Sequence, residues 1–222
     1  MSDLLATAER LFAAQASAAE LHAAGLHLLL VPQADGGFGA SHAEAYAVLR
    51  LAGEHGADAA ALGAPEPFAT VAQMVGAMTA ALAMTVEHVN TRVQFGAPLA
   101  KRQAVQQALA VFACEVAAAD AAGQALARAL DRGAADFETA AAKLRANRAA
   151  AVAVATAHQL HGAIGFTAEH PLGRLTARLI DWRGAHGNDR ICEERLGALV
   201  AARGPAHFWA DLTDRTDQST RT

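Results

Sequence analysis

Aromatic residues and charges are scarce in this sequence of 222 residues. Aromatic residues make up 5% and charged residues 18% of the chain, against 53% hydrophobic residues. A hydrophobic content this high excludes a disordered chain. The formal net charge of −4 provides no general excess of basic residues for contacts with phosphates. We therefore expect no nucleic acid partner.

Cysteine is rare as well, since Cys114 and Cys192 are the only two. A secreted domain stabilised by disulfides would normally carry more, so two distant cysteines favour a reducing compartment. The first residues show no basic segment typical of a secretory signal. No apolar run reaches the roughly 20 residues that a membrane-spanning helix needs. These absences predict a cytoplasmic protein without a membrane contact.

The usual motifs of catalytic and metal sites are missing. The sequence contains no nucleophile elbow, no phosphate-binding glycine loop, no paired CxxC and no zinc-binding helix motif. His158 and His161 form an HxxH pair, but metal sites in helical bundles add carboxylates from facing helices. No Glu-x-x-His accompanies this pair, so packing is the favoured interpretation and we expect no metal.

The spacing of apolar residues predicts helices along most of the chain. Apolar residues recur at steps of three and four over 71–89 and again over 105–130, which is typical of long amphipathic helices. Further helices are predicted over about 135–161, over about 172–182, and from Asn188 or Asp189 to about Gly204. Sustained alternation of β-branched residues, typical of strands, does not occur. We therefore predict an all-α bundle with almost no sheet.

Glycine and proline divide the chain into two helical parts near residues 63–67. Before this break, residues 2–24 read as one or two short helices. Ser41 and Glu44 then form a capping box for a helix that extends to about Leu51. The predicted organisation is a shortened N-terminal helical region over 1–66, a helical bundle over 67–210 and a polar tail over 211–222.

Two stretches carry residues that packing alone does not require. The first connects the two long predicted helices and contains Arg92, Gln94, Phe95 and, after a Gly-Ala-Pro turn, Gln103. A guanidinium and amides beside an aromatic ring can hold a phosphate through charge-assisted hydrogen bonds. The alternative is an arginine that caps the carbonyls of a tight turn between helices.

The second stretch follows the third predicted helix of the bundle. It begins at Gln159 and includes Gly162, Ala163 and Gly165. Two glycines three residues apart allow another backbone or a flat ligand to approach the main chain closely. Taken alone, this pattern would indicate only the end of a helix.

Together, and in this order, the two stretches resemble the C-terminal helical domain of the acyl-CoA dehydrogenase family. Its members are flavoproteins that desaturate acyl-CoA thioesters between Cα and Cβ. The resemblance covers about 67–204, and a weaker likeness over 25–39 is to the family's N-terminal helical domain. It implies an all-α fold, a bundle of the family's C-terminal type preceded by a short helical segment. The family's β-domain is missing, because residues 65–67 run straight into the long helix.

The resemblance also implies FAD as the cofactor. The first stretch corresponds to family residues that reach the diphosphate of a flavin held mainly by the adjacent subunit. The second corresponds to residues that lie along the adenosine-diphosphate part of the same flavin. The cofactor-binding residues implied in this way are Arg92, Gln94, Phe95, Gln103, Gln159, Gly162, Ala163 and Gly165.

The resemblance breaks at the catalytic base. Family chemistry needs a carboxylate with a raised pKa beside the thioester and the flavin. The residue at the usual position is Arg183, whose guanidinium cannot accept a proton. Some members place the carboxylate near the start of the long helix, where Glu66 is the candidate. Asp181 and Asp189 are fallback candidates, explained more simply as a surface charge and an N-cap.

Two further family contacts to flavin are absent, since Ala185 and Gly187 stand in place of a threonine and a glutamine. The resemblance therefore implies an FAD-dependent acyl-CoA dehydrogenase or a subunit of one, contributing flavin contacts to the α,β-desaturation of an acyl-CoA. It would act in a homo- or hetero-oligomer, for instance with a full-length subunit, and with an electron-transfer flavoprotein. Two alternatives stay open: a non-catalytic helical assembly or regulatory protein that retains the fold, and an unrelated helix bundle.

Overall fold

The computed structural model describes residues 2–57, 62–167 and 169–214, and within these ranges the fold is almost entirely helical. An antiparallel hairpin of two-residue strands, β1 (Val93–Gln94) and β2 (Ala97–Pro98), is the one sheet there. The all-α prediction is confirmed. The α-helices are α1 (Ser2–Ala13), α2 (Ala18–Ala23), α3 (His42–Glu54), α4 (Phe68–Thr91), α5 (Gln103–Asp131), α6 (Asp136–His161), α7 (Pro171–Gly184), α8 (Asp189–Arg203) and α9 (Phe208–Asp214).

Helix boundaries agree with the sequence patterns where a cap is present. The amide of Glu44 donates to Ser41 Oγ at 3.2 Å, and the Ser41 amide donates to Glu44 Oε2 at 2.9 Å, as the capping box predicts. Ser17 forms a second capping box that the sequence analysis missed. α9 crosses the predicted start of the polar tail at 211, and residues 215–222 lie outside the described residues.

α4 is the central helix of the bundle. It packs against α3, α5, α6 and α7, and every residue from Phe68 to Met78 is buried. The sequence pattern predicted one apolar stripe, but this half of the helix is enclosed on all sides because neighbouring helices cover each face. Val86, a member of the predicted stripe, is instead 40% exposed near the end of α4.

Glycines bring α3 and α4 into backbone contact. A Cβ atom on Gly76 would overlap the carbonyl oxygen of Arg50, and one on Gly53 would overlap the carbonyl oxygen of Gln73. Glycine is needed at both positions because no other residue leaves room for a neighbouring main chain at this separation. The two residues therefore set the distance between these helices.

Two helices are long and apolar enough, by length and composition alone, to cross a membrane. They are α4 and α5, so the expectation that no apolar segment reaches this length is wrong for both. The most apolar window of α4 is 67% buried, which its place in the core explains. The corresponding window of α5 is only 28% buried, so this helix presents an apolar face outward.

A buried lysine ties α6 to the turn between α7 and α8. Lys143 is 1% exposed, and its Nζ donates to Asn147 Oδ1 at 2.5 Å and to the carbonyls of Trp182 and Gly187 at 3.0 Å each. Asn147 Nδ2 donates to the same Gly187 carbonyl at 3.1 Å. Burial lowers the pKa of Lys143 to about 8, and the nearby Arg183 acts in the same direction. Both ends of the 182–187 turn are thus held by one side chain.

The glycine contact between α3 and α4 makes a direct prediction for stability. Gly76→Ala should lower the free energy of unfolding by about 3 kcal/mol, because the added methyl group forces the two helices apart. Gly197→Ala is the matched control, since open space surrounds that position in α8. It should stabilise the protein by about 0.5–1 kcal/mol through helix propensity. Urea unfolding measures both, and equal effects would contradict the close contact.

Replacement of the buried lysine should also destabilise the protein. Lys143→Met leaves two carbonyls of the 182–187 turn without their donor and should lower the free energy of unfolding by about 2 kcal/mol at neutral pH. Lys101→Met is the control, because Lys101 is exposed and is the only other lysine. Its effect should stay within about 0.5 kcal/mol.

The difference in unfolding free energy between wild type and Lys143→Met should depend on pH. The pKa of Lys143 is about 8 in the folded protein and 10.5 ordinarily, so the unfolded chain binds more protons between these values. Stability contributed by this group therefore rises with pH across that interval. The difference in unfolding free energy between wild type and Lys143→Met should grow by about 3 kcal/mol there. A difference that stays constant would contradict the lowered pKa.

Candidate functional site

The first candidate stretch forms a tight corner between α4 and α5. Phe95 and Gly96 connect the two short strands with φ angles of 53° and 80°, the consecutive positive values that a two-residue hairpin turn requires. The Leu99 amide donates to the Arg92 carbonyl at 2.9 Å and closes the base of the hairpin. Gln103 follows as the first residue of α5. The predicted residues of this stretch therefore lie on one compact corner.

Arg92 ends α4 at this corner with its side chain exposed. Its amide donates to the His88 carbonyl at 2.8 Å, one turn back along the helix. The alternative explanation, a side chain that caps helix carbonyls, receives no support here, because no such hydrogen bond of the guanidinium is found among the described residues. The corner also carries Lys101 and Arg102, both exposed. It is a basic patch on a chain with a net charge of −4.

The second candidate stretch forms the bend after α6. Gly162 ends the helix with φ 65° and ψ −147°, and no atom lies within 4 Å of the Cβ position that another residue would have there. Gly165 differs, because it is buried and its Cβ would lie 2.9 Å from that of His161. Gly162 leaves space in which a ligand could approach the main chain. At Gly165 a side chain has no room, because the residue packs against His161. Gln159, in the last turn of α6, and Ala163, on the bend, are both exposed.

Two histidines bring the corner and the bend together. The ring of His88, one turn before Arg92, stacks on the ring of His161, which directly precedes Gly162, with centroids 4.4 Å apart. His170 meets His161 edge-on at 4.9 Å. The ends of α4 and α6 are therefore in contact, and both predicted stretches lie at the same end of the bundle.

The pKa values of His88 and His161 are both lowered. Burial lowers the pKa of His161, and a hydrogen bond between its Nδ1 and the Ala157 carbonyl at 2.9 Å opposes this effect in part. Burial also lowers the pKa of His88, with further contributions from His170 and Arg92. Uncharged rings can stack without repulsion at neutral pH. His158 stacks on Phe166 with centroids 4.1 Å apart, so packing explains the HxxH pair.

The surface around these residues is apolar as well as basic. Phe95 is 89% exposed and Phe166 71% exposed, and Ile164 is 50% exposed on the bend. Large apolar side chains exposed on both segments are typical of a surface that another molecule covers. The corner and the bend together form what we call the corner surface.

The residues considered for the catalytic base lie away from the corner surface. Glu66 Oε2 accepts a hydrogen bond from Thr70 Oγ1 at 2.5 Å and lies 3.6 Å from His186 Nε2. Arg183 and His186 both belong to the 182–187 turn. The two positions at which the family places its base, the start of the long helix and this turn, are therefore neighbours. Here a carboxylate bound to other side chains occupies one of them.

The fallback carboxylates have structural positions. Asn188, not Asp189, is the N-cap of α8, because its Oδ1 accepts from the Ile191 amide at 3.1 Å. Asp189 is the first residue of that helix, and Asp181 is exposed on α7. Within the described ranges, no three histidine, cysteine, aspartate or glutamate side chains are grouped as a metal site would require.

Sequence reasoning missed two contributors to the corner surface. His88 connects the corner to the bend, but a single histidine in an apolar helix gives no pattern that reveals its partner. Arg102 contacts the Phe95 turn, and a basic residue before a helix is too common to be recognised as part of a site. Both depend on contacts between segments that are distant or folded back on each other.

Comparison with known proteins agrees with this architecture. Residues 64–198 match the family described as "Acyl-CoA dehydrogenase, C-terminal domain". The acyl-CoA dehydrogenase IpdE2 of Mycobacterium tuberculosis is 33% identical over 122 residues, which are 55% of this chain and 35% of that protein. The chain spans 27–35% of the length of the curated relatives it matches.

Solved structures extend the likeness to the N-terminal helices. The Tcur3481-Tcur3483 steroid ACAD contains a chain that aligns with a TM-score of 0.81 at 18% identity, over 90% of this chain and 97% of that one. The ChsE4-ChsE5 complex of Mycobacterium tuberculosis aligns with a TM-score of 0.60 at 25% identity, over 72% of this chain and 40% of that one. Because the Tcur3481-Tcur3483 chain is only 18% identical, its similarity to this chain shows a shared fold alone.

The family match covers more than half of the chain, and it includes both the corner and the bend. The unrelated helix bundle is thereby excluded. With its helical fold and no β-domain in the described residues, the chain belongs to the acyl-CoA dehydrogenase family.

Proposed function

We propose that this chain is a subunit of an acyl-CoA dehydrogenase assembly and supplies one wall of an FAD site. The contact between His88 and His161 carries the proposal, because it joins the two stretches that correspond to the family's flavin-binding residues. Arg92 and its neighbours would hold the diphosphate, and the main chain at Gly162 would lie along the adenosine part. A diphosphate requires a cation and close backbone approach, and the corner surface provides both.

The exposure of the corner surface supports a shared site. Arg92, Phe95 and Gly162 are all exposed, and the part of the chain that the structure describes contains no β-domain like the one that encloses the flavin in the family. A flavin at this surface would remain open to solvent unless a second subunit covered it. The partner would therefore provide most of the flavin-binding surface, and the ChsE4-ChsE5 and Tcur3481-Tcur3483 complexes are family assemblies named for two components each.

The contacts of Glu66 support a catalytic base on another chain. A base must reach the α-proton of the substrate. Glu66 instead accepts a hydrogen bond from Thr70 and lies 3.6 Å from His186, and Arg183 stands at the usual position. The proposed reaction is the desaturation of an acyl-CoA thioester at a site whose base belongs to the partner. FAD would supply the hydride acceptor, and an electron-transfer flavoprotein is the proposed acceptor of the electrons.

The outer face of α5 supports an oligomer. Between Gln103 and Gln124, every exposed position of this helix is alanine, glutamine, valine or cysteine, with no charge among them. Val111 is 55% exposed in the middle of this face. Interface centres are depleted of charged residues, so a second copy or the longer partner is the proposed cover.

The flavin site is tested by Arg92→Ala. Loss of one charge-assisted contact should raise the dissociation constant of FAD by about 10- to 100-fold. The measurement is flavin absorbance and fluorescence of the purified chain, alone and co-expressed with the product of the adjacent gene. Arg128→Ala is the matched control, because Arg128 is an exposed arginine of α5 away from the corner.

The same experiment separates the proposal from its alternative. An Arg92→Ala protein that keeps its oligomer but loses flavin supports the FAD site. A wild-type protein that remains colourless with and without its partner would exclude a flavin role. If Arg92→Ala then also loses the oligomer, the corner surface serves assembly alone, as expected for a non-catalytic assembly or regulatory protein.

Cys114 reports on the outer face of α5. It is exposed on that face, whereas Cys192 is buried, so maleimide labelling of the folded chain should modify Cys114 first. Assembly should protect Cys114 from the reagent, because the partner covers the helix. Labelling rates are measured by mass spectrometry across a range of protein concentrations. A rate that does not change between the isolated chain and the assembled state would place the interface elsewhere.

A further inference from the structure

The main chain at Phe95 has an unusual conformation for an aromatic residue. Its φ angle of 53° is in the left-handed region, which is uncommon for residues other than glycine, asparagine and aspartate. The ring is 89% exposed and contributes nothing to the core. Hairpin turns of this kind favour asparagine or glycine at this position. Folding alone therefore does not explain a phenylalanine here.

Arg102 contacts this turn in two ways. Its Nη2 donates to the Phe95 carbonyl at 3.2 Å and lies 3.5 Å from the Gln94 carbonyl. Its guanidinium carbon lies 5.5 Å from the centroid of the Phe95 ring, within the range of a cation–π contact. One side chain therefore binds the main chain of the turn and contacts the ring that the turn displays.

These contacts restrict the ring before any ligand arrives. An exposed phenylalanine would otherwise sample several rotamers, and binding would then have to order it. A lysine could supply the charge of Arg102, but it lacks the planar group that donates to a carbonyl while facing a ring. Lys101, the neighbouring cation, is exposed and makes no contact with the turn among those found in the described residues.

We propose that Arg102 is a positioning residue of the FAD site, which holds the Phe95 ring and its turn in the orientation that contacts the flavin nucleotide. The inference rests on the proposed function. It adds a residue that acts through Phe95, distinct from Arg92, which would bind the diphosphate directly. The guanidinium of Arg102 also adds positive charge to the corner surface.

The test compares Arg102→Met, Arg102→Lys and the control Arg128→Met by FAD titration of the chain, or of the assembled complex where flavin binds only there. Arg102→Met should raise the dissociation constant about tenfold. Arg102→Lys, which keeps the charge but not the planar donor, should raise it about fivefold. Arg128→Met removes an exposed arginine charge away from the corner surface and should change it by less than about twofold.

A double-mutant cycle separates positioning from charge. If Arg102 acts through the ring, Arg102→Met in a Phe95→Ala background should raise the dissociation constant by less than about twofold. Additive effects would overturn the inference, as would full affinity in Arg102→Lys. Hydrogen exchange of the amides of residues 93–99 in flavin-free protein gives a second measurement, and Arg102→Met should accelerate it.

The outcomes distinguish this inference from the proposed function. If wild type binds FAD and the Arg102 variants bind equally well, Arg102 has no positioning role and the FAD site stands. If exchange accelerates but FAD affinity is unchanged, Arg102 stabilises the hairpin alone and the inference fails. If wild type binds no FAD in any assembly, the proposed function fails, and the role of Arg102 in it fails too.

Discussion

The enclosure of α4 by its neighbours is the constraint on which the rest of the structure depends. Its first half is buried on every side, and Gly53 and Gly76 set its distance from α3 through backbone contacts. A helix held in this way has no freedom to rotate or slide, because any shift would expose apolar side chains or create overlap with a carbonyl oxygen. The position of its C-terminal end is therefore determined by core packing.

The C-terminal end of α4 forms part of the proposed FAD site. Because α4 and α6 pack along their length, their last turns meet through His88 and His161, and the segments that follow emerge side by side. Arg92 and the open bend at Gly162 are brought together by the core and not by contacts of their own. A site built in this way can remain exposed, since its geometry does not require a bound partner. This fits a subunit that completes a cofactor site on another chain.

The start of α4 and the 182–187 turn lie at the opposite end of the bundle from the corner surface. The positions from which family members present a base are close together, but Glu66 accepts a hydrogen bond from Thr70 and lies 3.6 Å from His186. The 182–187 turn is held by the buried Lys143. The corner surface keeps cations, an aromatic ring and an open glycine. This contrast between the two ends of the bundle supports a role in cofactor binding, with the proton-removing base supplied by another chain.

The sequence by itself determined the helices, the capping box at Ser41, the missing β-domain and the two stretches of interest, because periodicity, caps and glycines act over a few residues. It could not show that α4 is enclosed on all sides, that Asn188 caps α8, or that Gly165 is needed for packing. Those features depend on which surfaces meet. Only the tertiary structure decided that the corner and the bend are neighbours and that Arg102 holds Phe95, because such contacts arise when distant or reversed segments fold together.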